Sequence, residues 1–133
     1  MTASRGSVRT EVRIARSPDE VWGLVGDPER LSEWFPGITS CTVAGDQRTV
    51  TTEAGLTMPE RLVTVDRLQR RLQYRSTAPL FREHLSTLDV LDLGAGHRLV
   101  VSEVAANPSV MALVIAGAAG AALDYVRSLM EEE

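Results

Sequence analysis

The sequence predicts an α+β fold, one antiparallel sheet and a long C-terminal helix, on three observations. Short stretches rich in Val, Thr, Leu and Tyr recur between turns of Gly, Asp, Pro and Arg; two cap-and-proline signals stand together after the first stretch; and a long apolar segment closes the chain behind Asn107-Pro108.

The first strand is read from strict alternation. Val8, Thr10, Val12 and Ile14 share one face of Ser7 to Ile14, and Ser7, Arg9, Glu11 and Arg13 share the other. Ser17, Pro18 and Glu20 then satisfy a capping-box pattern, and Asp27-Pro28 repeats the cap-and-proline device. Val21, Trp22, Leu24 and Val25 give the first short helix its apolar face, Gly26 ends it, and Pro36-Gly37 stops the second. Six further strands are expected at Ile38 to Ala44, Arg48 to Glu53, Glu60 to Val65, Arg71 to Thr77, Glu83 to Leu91 and His97 to Val104. Their short connections imply antiparallel pairing. Leu72, Tyr74 and Ser76 face one side of their strand, which needs a cover.

That cover is a helix from Pro108 to about Met130, about 36 Å long at 1.5 Å per residue, opened by Asn107 and Pro108. Its core stripe is expected at Met111, Ile115, Ala118, Ala122, Tyr125 and Leu129, in steps of four and three. Glu131, Glu132 and Glu133 oppose the helix dipole and are expected to fray.

With 133 residues and one cysteine, Cys41, the chain reads as a single domain, 1–133, without a disulfide. A net charge of -4 argues against a nucleic-acid partner, since its arginines are scattered along the chain. All fourteen basic residues are arginine, so Schiff-base chemistry on a lysine is excluded. The run Val110 to Leu123 is too short for a hydrocarbon layer of ~30 Å, and no signal segment opens the chain, so no transmembrane segment and a cytoplasmic location are expected.

The element order, the stretch "SPDEVWGLVGDPERLSEWFPG", and the segments "RRLQYRS", "EHLSTLDV" and "NPSVMALVIAGAAGAAL" resemble the SRPBCC superfamily of START-like, polyketide-cyclase/dehydrase-type domains, as a bacterial member. The resemblance spans nearly the whole chain. It implies a helix-grip fold, a curved seven-stranded antiparallel sheet around the C-terminal helix. The two short helices after the first strand would close the gap to the second and leave a cavity between sheet and long helix.

Residues expected at that cavity are Trp34 and Phe35 at its mouth, Tyr74, His84 and Ser86 on the sheet, and Met111, Ile115 and Ala118 on the helix. Either Glu60 or Arg61 joins them, according to the register of the hairpin around Asp66 to Arg71. His84 shares parity with Ser86, Leu88 and Val90; it reads either as an acid-base group with Tyr74 steadying an oxyanion, or as a strand-end imidazole bonded to solvent or backbone. Cys41 reads as a small buried hydrophobe, and His97 as a turn residue. No histidine has a partner at metal-ligand spacing, and no phosphate-loop pattern occurs, so neither metal nor cofactor is expected. Gly117 and Gly120 each cost the helix about 1 kcal/mol against alanine. Close backbone approach, a ligand along the helix, or a second subunit would each account for them.

Three functions stand as expectations: binding of a small apolar or amphipathic molecule, a cyclase/dehydrase-like enzyme using the histidine, or a homodimeric interaction module.

Overall fold

Seven strands form one antiparallel sheet in the order β1-β7-β6-β5-β4-β3-β2 in the computed structural model, which describes residues 4–131. The strands are β1 (Gly6–Ile14), β2 (Ile38–Ala44), β3 (Gln47–Thr52), β4 (Thr57–Asp66), β5 (Arg71–Ser76), β6 (Glu83–Gly94) and β7 (His97–Asn107). The helices are α1 (Pro18–Val25), α2 (Leu31–Trp34) and α3 (Ser109–Glu131), with a 3-10 turn at Pro28–Arg30 ahead of α2. This is the helix-grip arrangement expected from the sequence.

The sheet order explains the short helices. β1 and β2 are neighbours in sequence but form opposite edges of the sheet, so the chain between them must cross from edge to edge. It does so through α1, the 3-10 turn and α2. Ser17 caps α1 as expected: its hydroxyl accepts the Glu20 N–H at 3.2 Å and donates to Glu20 Oε1 at 2.9 Å. Asp27 accepts the Glu29 N–H at 3.0 Å, but the chain then makes a 3-10 turn and a single α-helical turn rather than one continuous helix. Gly26 is required for packing as well as for the stop, because a Cβ there would lie 2.3 Å from the Trp22 ring.

The remaining strands run as a meander. Gly45, at φ +63°, makes the two-residue turn from β2 to β3 that pairs Ala44 with Gln47. In the β4–β5 hairpin a bulge between Leu62 and Thr64 sets the register that sequence left open. Glu60 pairs with Ser76 and turns inward, whereas Arg61 is exposed, 3.6 Å from Asp46. His97 opens β7 opposite Gly94 rather than sitting in the turn.

α3 packs on β1 and β7, and its contact face corrects the expected one. The buried residues are Ala112, Ala116, Ala119, Ala122, Leu123 and Val126. Met111 and Ile115 are only partly covered, and Ala118 and Tyr125 are exposed. Between Ser109 and Asp124 the helix is apolar all round, so periodicity could not choose a stripe. The sheet takes the alanine stripe, where small side chains allow close approach. Val110, Leu113 and Val114 are left 58 to 64% exposed. Gly117 faces open space, and a Cβ on Gly120 would make only ordinary contact with Thr10 at 3.7 Å, so neither glycine marks a tight backbone crossing, and neither lines the cavity under this helix.

Both ends of α3 depart from the expectation. Asn107 still belongs to β7, the Asn107–Pro108 peptide is cis, and the helix starts at Ser109. Glu131 remains helical and accepts from Arg127 Nε at 3.1 Å; Glu132 and Glu133 lie outside the described residues. By length and composition α3 is long and apolar enough to cross a membrane, contrary to the expectation from Val110 to Leu123 alone; in this fold it is the helix packed on the sheet.

Candidate functional site: a small polar-lined cavity under the C-terminal helix

Alternation along β5 and β6 sends Leu72, Tyr74, Ser86 and Leu88 beneath α3, where Ala119 and Leu123 meet them. Leu31, Trp34 and Phe35 close the space from the side, with the Trp34 and Phe35 ring centroids 5.7 Å apart. The enclosed volume is about 20 Å³. That is room for about one water, against the several hundred Å³ of a typical organic-ligand pocket. A larger guest therefore needs side chains to move.

The cavity's strongest polar group is one the sequence reading missed. Arg48, on β3, is 1% exposed, and its guanidinium lies 4.4 Å from the centroid of the Tyr74 ring. Arg48 donates from Nε to Glu60 Oε1 at 2.7 Å and from Nη1 to the Pro28 carbonyl at 3.2 Å. Nη2 is also 2.7 Å from that carboxylate oxygen, so the ion pair engages both nitrogens. Trp34 Nε1–H is buried without an acceptor. An unsatisfied donor is a costly state for a buried polar group. The signal available in the sequence was strand parity: Arg48 shares a face with the apolar Val50.

Burial and charge shape the titration of these groups. Burial pushes the Glu60 carboxyl above its usual range, with Arg48 pulling the other way. Burial also raises the Tyr74 phenol, and Glu60 adds to the effect.

His84 is buried, on the same face as Ser86, but it does not line this cavity. Its Nδ1 accepts the Ser76 backbone N–H at 2.7 Å, which fixes the proton on Nε2, 2.9 Å from Ser86 Oγ. Burial, aided by Arg75, lowers its pKa to about 4 rather than leaving it near 6.5. His84 is therefore neutral near pH 7, yet the nitrogen a base would use is occupied by the backbone. Of the expected cavity residues, Trp34, Phe35, Tyr74 and Ser86 come together. His84, Met111, Ile115 and Ala118 do not: His84 lies behind Ser86 on the same strand face, Met111 and Ile115 are half-buried away from the cavity, and Ala118 is exposed.

Cys41 is half-buried, its thiol donates to the Pro28 carbonyl at 3.1 Å, and burial raises its pKa, which makes it a poor nucleophile. Among the described residues no group of three or more His, Cys, Asp or Glu could hold a metal ion.

Comparison with solved structures places this geometry among known relatives of the fold. The Bacillus cereus protein XoxI superposes with a TM-score of 0.87 at 24% identity, over 94% of this chain and 95% of that one. The Zhui aromatase/cyclase from a Streptomyces species gives 0.78 at 18% identity, over 96% and 94%. A START superfamily protein from Mycobacterium smegmatis gives 0.76 at 17%, over 95% and 97%. At these identities the likeness concerns the fold. A search of curated proteins by sequence finds no match. The family described as polyketide cyclase/dehydrase and lipid transport matches residues 5–131, and with that match over nearly its whole length the chain belongs to this family, within the START-like SRPBCC superfamily.

Proposed function

We propose that this protein binds a small amphipathic molecule beneath α3, with an apolar body against Leu72, Leu88 and Leu123 and a hydrogen-bond acceptor turned toward Arg48 and Trp34. The observation that carries the reading is Trp34 Nε1, a buried donor left without an acceptor on a residue that lines the cavity beside the Arg48 guanidinium. A carbonyl or carboxylate oxygen satisfies this donor, and a purely apolar guest does not. Entry requires Trp34 and Phe35 to swing aside, since about 20 Å³ admits no organic molecule. The working form is a soluble protein of the cytoplasm.

The test is a matched pair of probes, naphthalene and 2-acetylnaphthalene, titrated calorimetrically. The acetyl compound is expected to bind more tightly by roughly five- to tenfold, the worth of one net hydrogen bond. Trp34→Phe, which keeps a ring and removes the N–H, should erase most of that preference. Equal binding of the two probes, or binding of neither, would overturn the reading.

A cyclase/dehydrase-like activity is the second reading, and its support is Glu60 rather than His84. A carboxyl raised toward neutrality beside Arg48 and Tyr74 is suited to moving a proton next to a carbonyl. Exchange of the acetyl protons of bound 2-acetylnaphthalene in heavy water, lost in Glu60→Gln, would favour it; no exchange above the buffer rate would exclude it for this probe. The homodimer expectation rests on the exposed outer face of α3, and nothing in the structure covers that face.

A further inference from the structure

Fourteen arginines look scattered in the sequence, but the fold gathers three of them. Ten of the fourteen lie within 4 Å of a carboxylate; among the described residues Arg13, Arg67, Arg75 and Arg82 do not. Two of these four, Arg75 and Arg82, line one open cleft of about 420 Å³ with Arg5. It lies where β1 starts, β5 ends, β6 starts and β7 ends. Among the described residues the only carboxylate on its wall is Glu83, held by Arg5 at 3.4 Å in a pair more than half exposed on both sides. The cleft thus carries three positive charges against one negative in a chain whose net charge is -4.

The backbone that presents these side chains is tied down. Thr77 N–H donates to the Pro59 carbonyl at 3.1 Å, Phe81 N–H to Ala78 at 3.2 Å, and Arg82 N–H to Asn107 at 2.9 Å. Ser76 N–H is held by His84 Nδ1 at 2.7 Å. Phe81 adds an aromatic wall, its ring centroid 5.1 Å from that of His84. Two guanidiniums without a carboxylate partner line the same cleft, Arg75 from the end of β5 and Arg82 from the bend just before β6; they offer the forked donors that suit a phosphate oxygen set, and the ring beside them suits a flat apolar body.

We infer that this cleft is a second binding site, distinct from the cavity under α3, for a phosphate monoester on a small aromatic or otherwise flat molecule. Arg75 and Arg82 hold the phosphate, Arg5 adds charge from the residue just before β1, and Phe81 stacks on the body. His84 forms the wall shared by the two sites, through Ser86.

The experiment is a phosphorus NMR titration of the full chain with phenyl phosphate and, separately, inorganic phosphate at low ionic strength. Phenyl phosphate is expected to bind more tightly than inorganic phosphate, and Phe81→Ala should bring the two together. Arg75→Gln with Arg82→Gln should weaken both by roughly tenfold or more. The paired control Arg13→Gln with Arg67→Gln removes the same net charge away from the cleft and should leave binding unchanged. The inference is overturned if neither compound binds, if the two bind alike in the unaltered protein, or if the control pair weakens binding as much as the cleft pair.

Discussion

Arg48 on β3 and Glu60 on β4 form an ion pair at 2.7 Å in which the guanidinium is 1% and the carboxylate side chain 11% exposed. The two residues face each other across the β3–β4 ladder, and the same guanidinium covers the Tyr74 ring. A pair this deeply placed is costly to break singly and much less costly to replace as a unit, because a lone buried charge has no compensation. Glu60→Leu is therefore expected to destabilise the fold by about 3 kcal/mol, and Arg48→Met with Glu60→Leu to recover most of that loss. Urea unfolding of the single and double variants beside the unaltered protein measures it. Additive losses in the double variant would show that the pair's charges are not coupled.

The imidazole of His84 sets an acid-side dependence. Its folded pKa of about 4 lies below the ordinary 6.5, so the unfolded chain binds the extra proton first as pH falls. The contribution is present in full above pH 6.5 and is lost progressively down to pH about 4, about 3 kcal/mol in all. Glutamine can accept from Ser76 N–H and donate toward Ser86 without titrating. His84→Gln should thus flatten the stability profile between pH 6.5 and 4 relative to the unaltered protein. Parallel profiles would mean that the imidazole stays solvated.

Two glycines should respond in opposite directions. Gly117 faces open space within a helix, so Gly117→Ala is expected to raise stability by about 1 kcal/mol and leave ligand binding unchanged. Gly26→Ala drives a Cβ to 2.3 Å from the Trp22 ring and should cost about 1–3 kcal/mol. Thermal unfolding midpoints check both signs.

The strands and the edge-to-edge helices were legible because period-two alternation and cap chemistry are local. β1 alternates over its whole length, and Ser17 and Glu20 meet as their spacing demands. Three features were not legible, each for a physical reason. The face of α3 was hidden because its middle is apolar on every side. The inward turn of Glu60 depends on a bulge between Leu62 and Thr64 that no residue there announces. Arg48 was passed over because a charged residue on an alternating strand is ordinarily read as solvent-facing, and it is the carboxylate of Glu60, the Pro28 carbonyl and the Tyr74 ring that make its burial tolerable. His84 was found with the right parity, but its backbone partner, Ser76, depends on the β5–β6 loop closing over it.

An acceptor-bearing guest beneath α3 is expected to engage Trp34 Nε1. The chain has two tryptophans, so a nitrogen-15 correlation spectrum carries two indole N–H peaks, assignable with Trp22→Phe and Trp34→Phe. Addition of 2-acetylnaphthalene is predicted to move the Trp34 peak downfield, as its N–H gains a hydrogen bond, and to leave the Trp22 peak in place. A Trp34 peak that does not move while the compound is bound, or a shift confined to Trp22, would contradict the account.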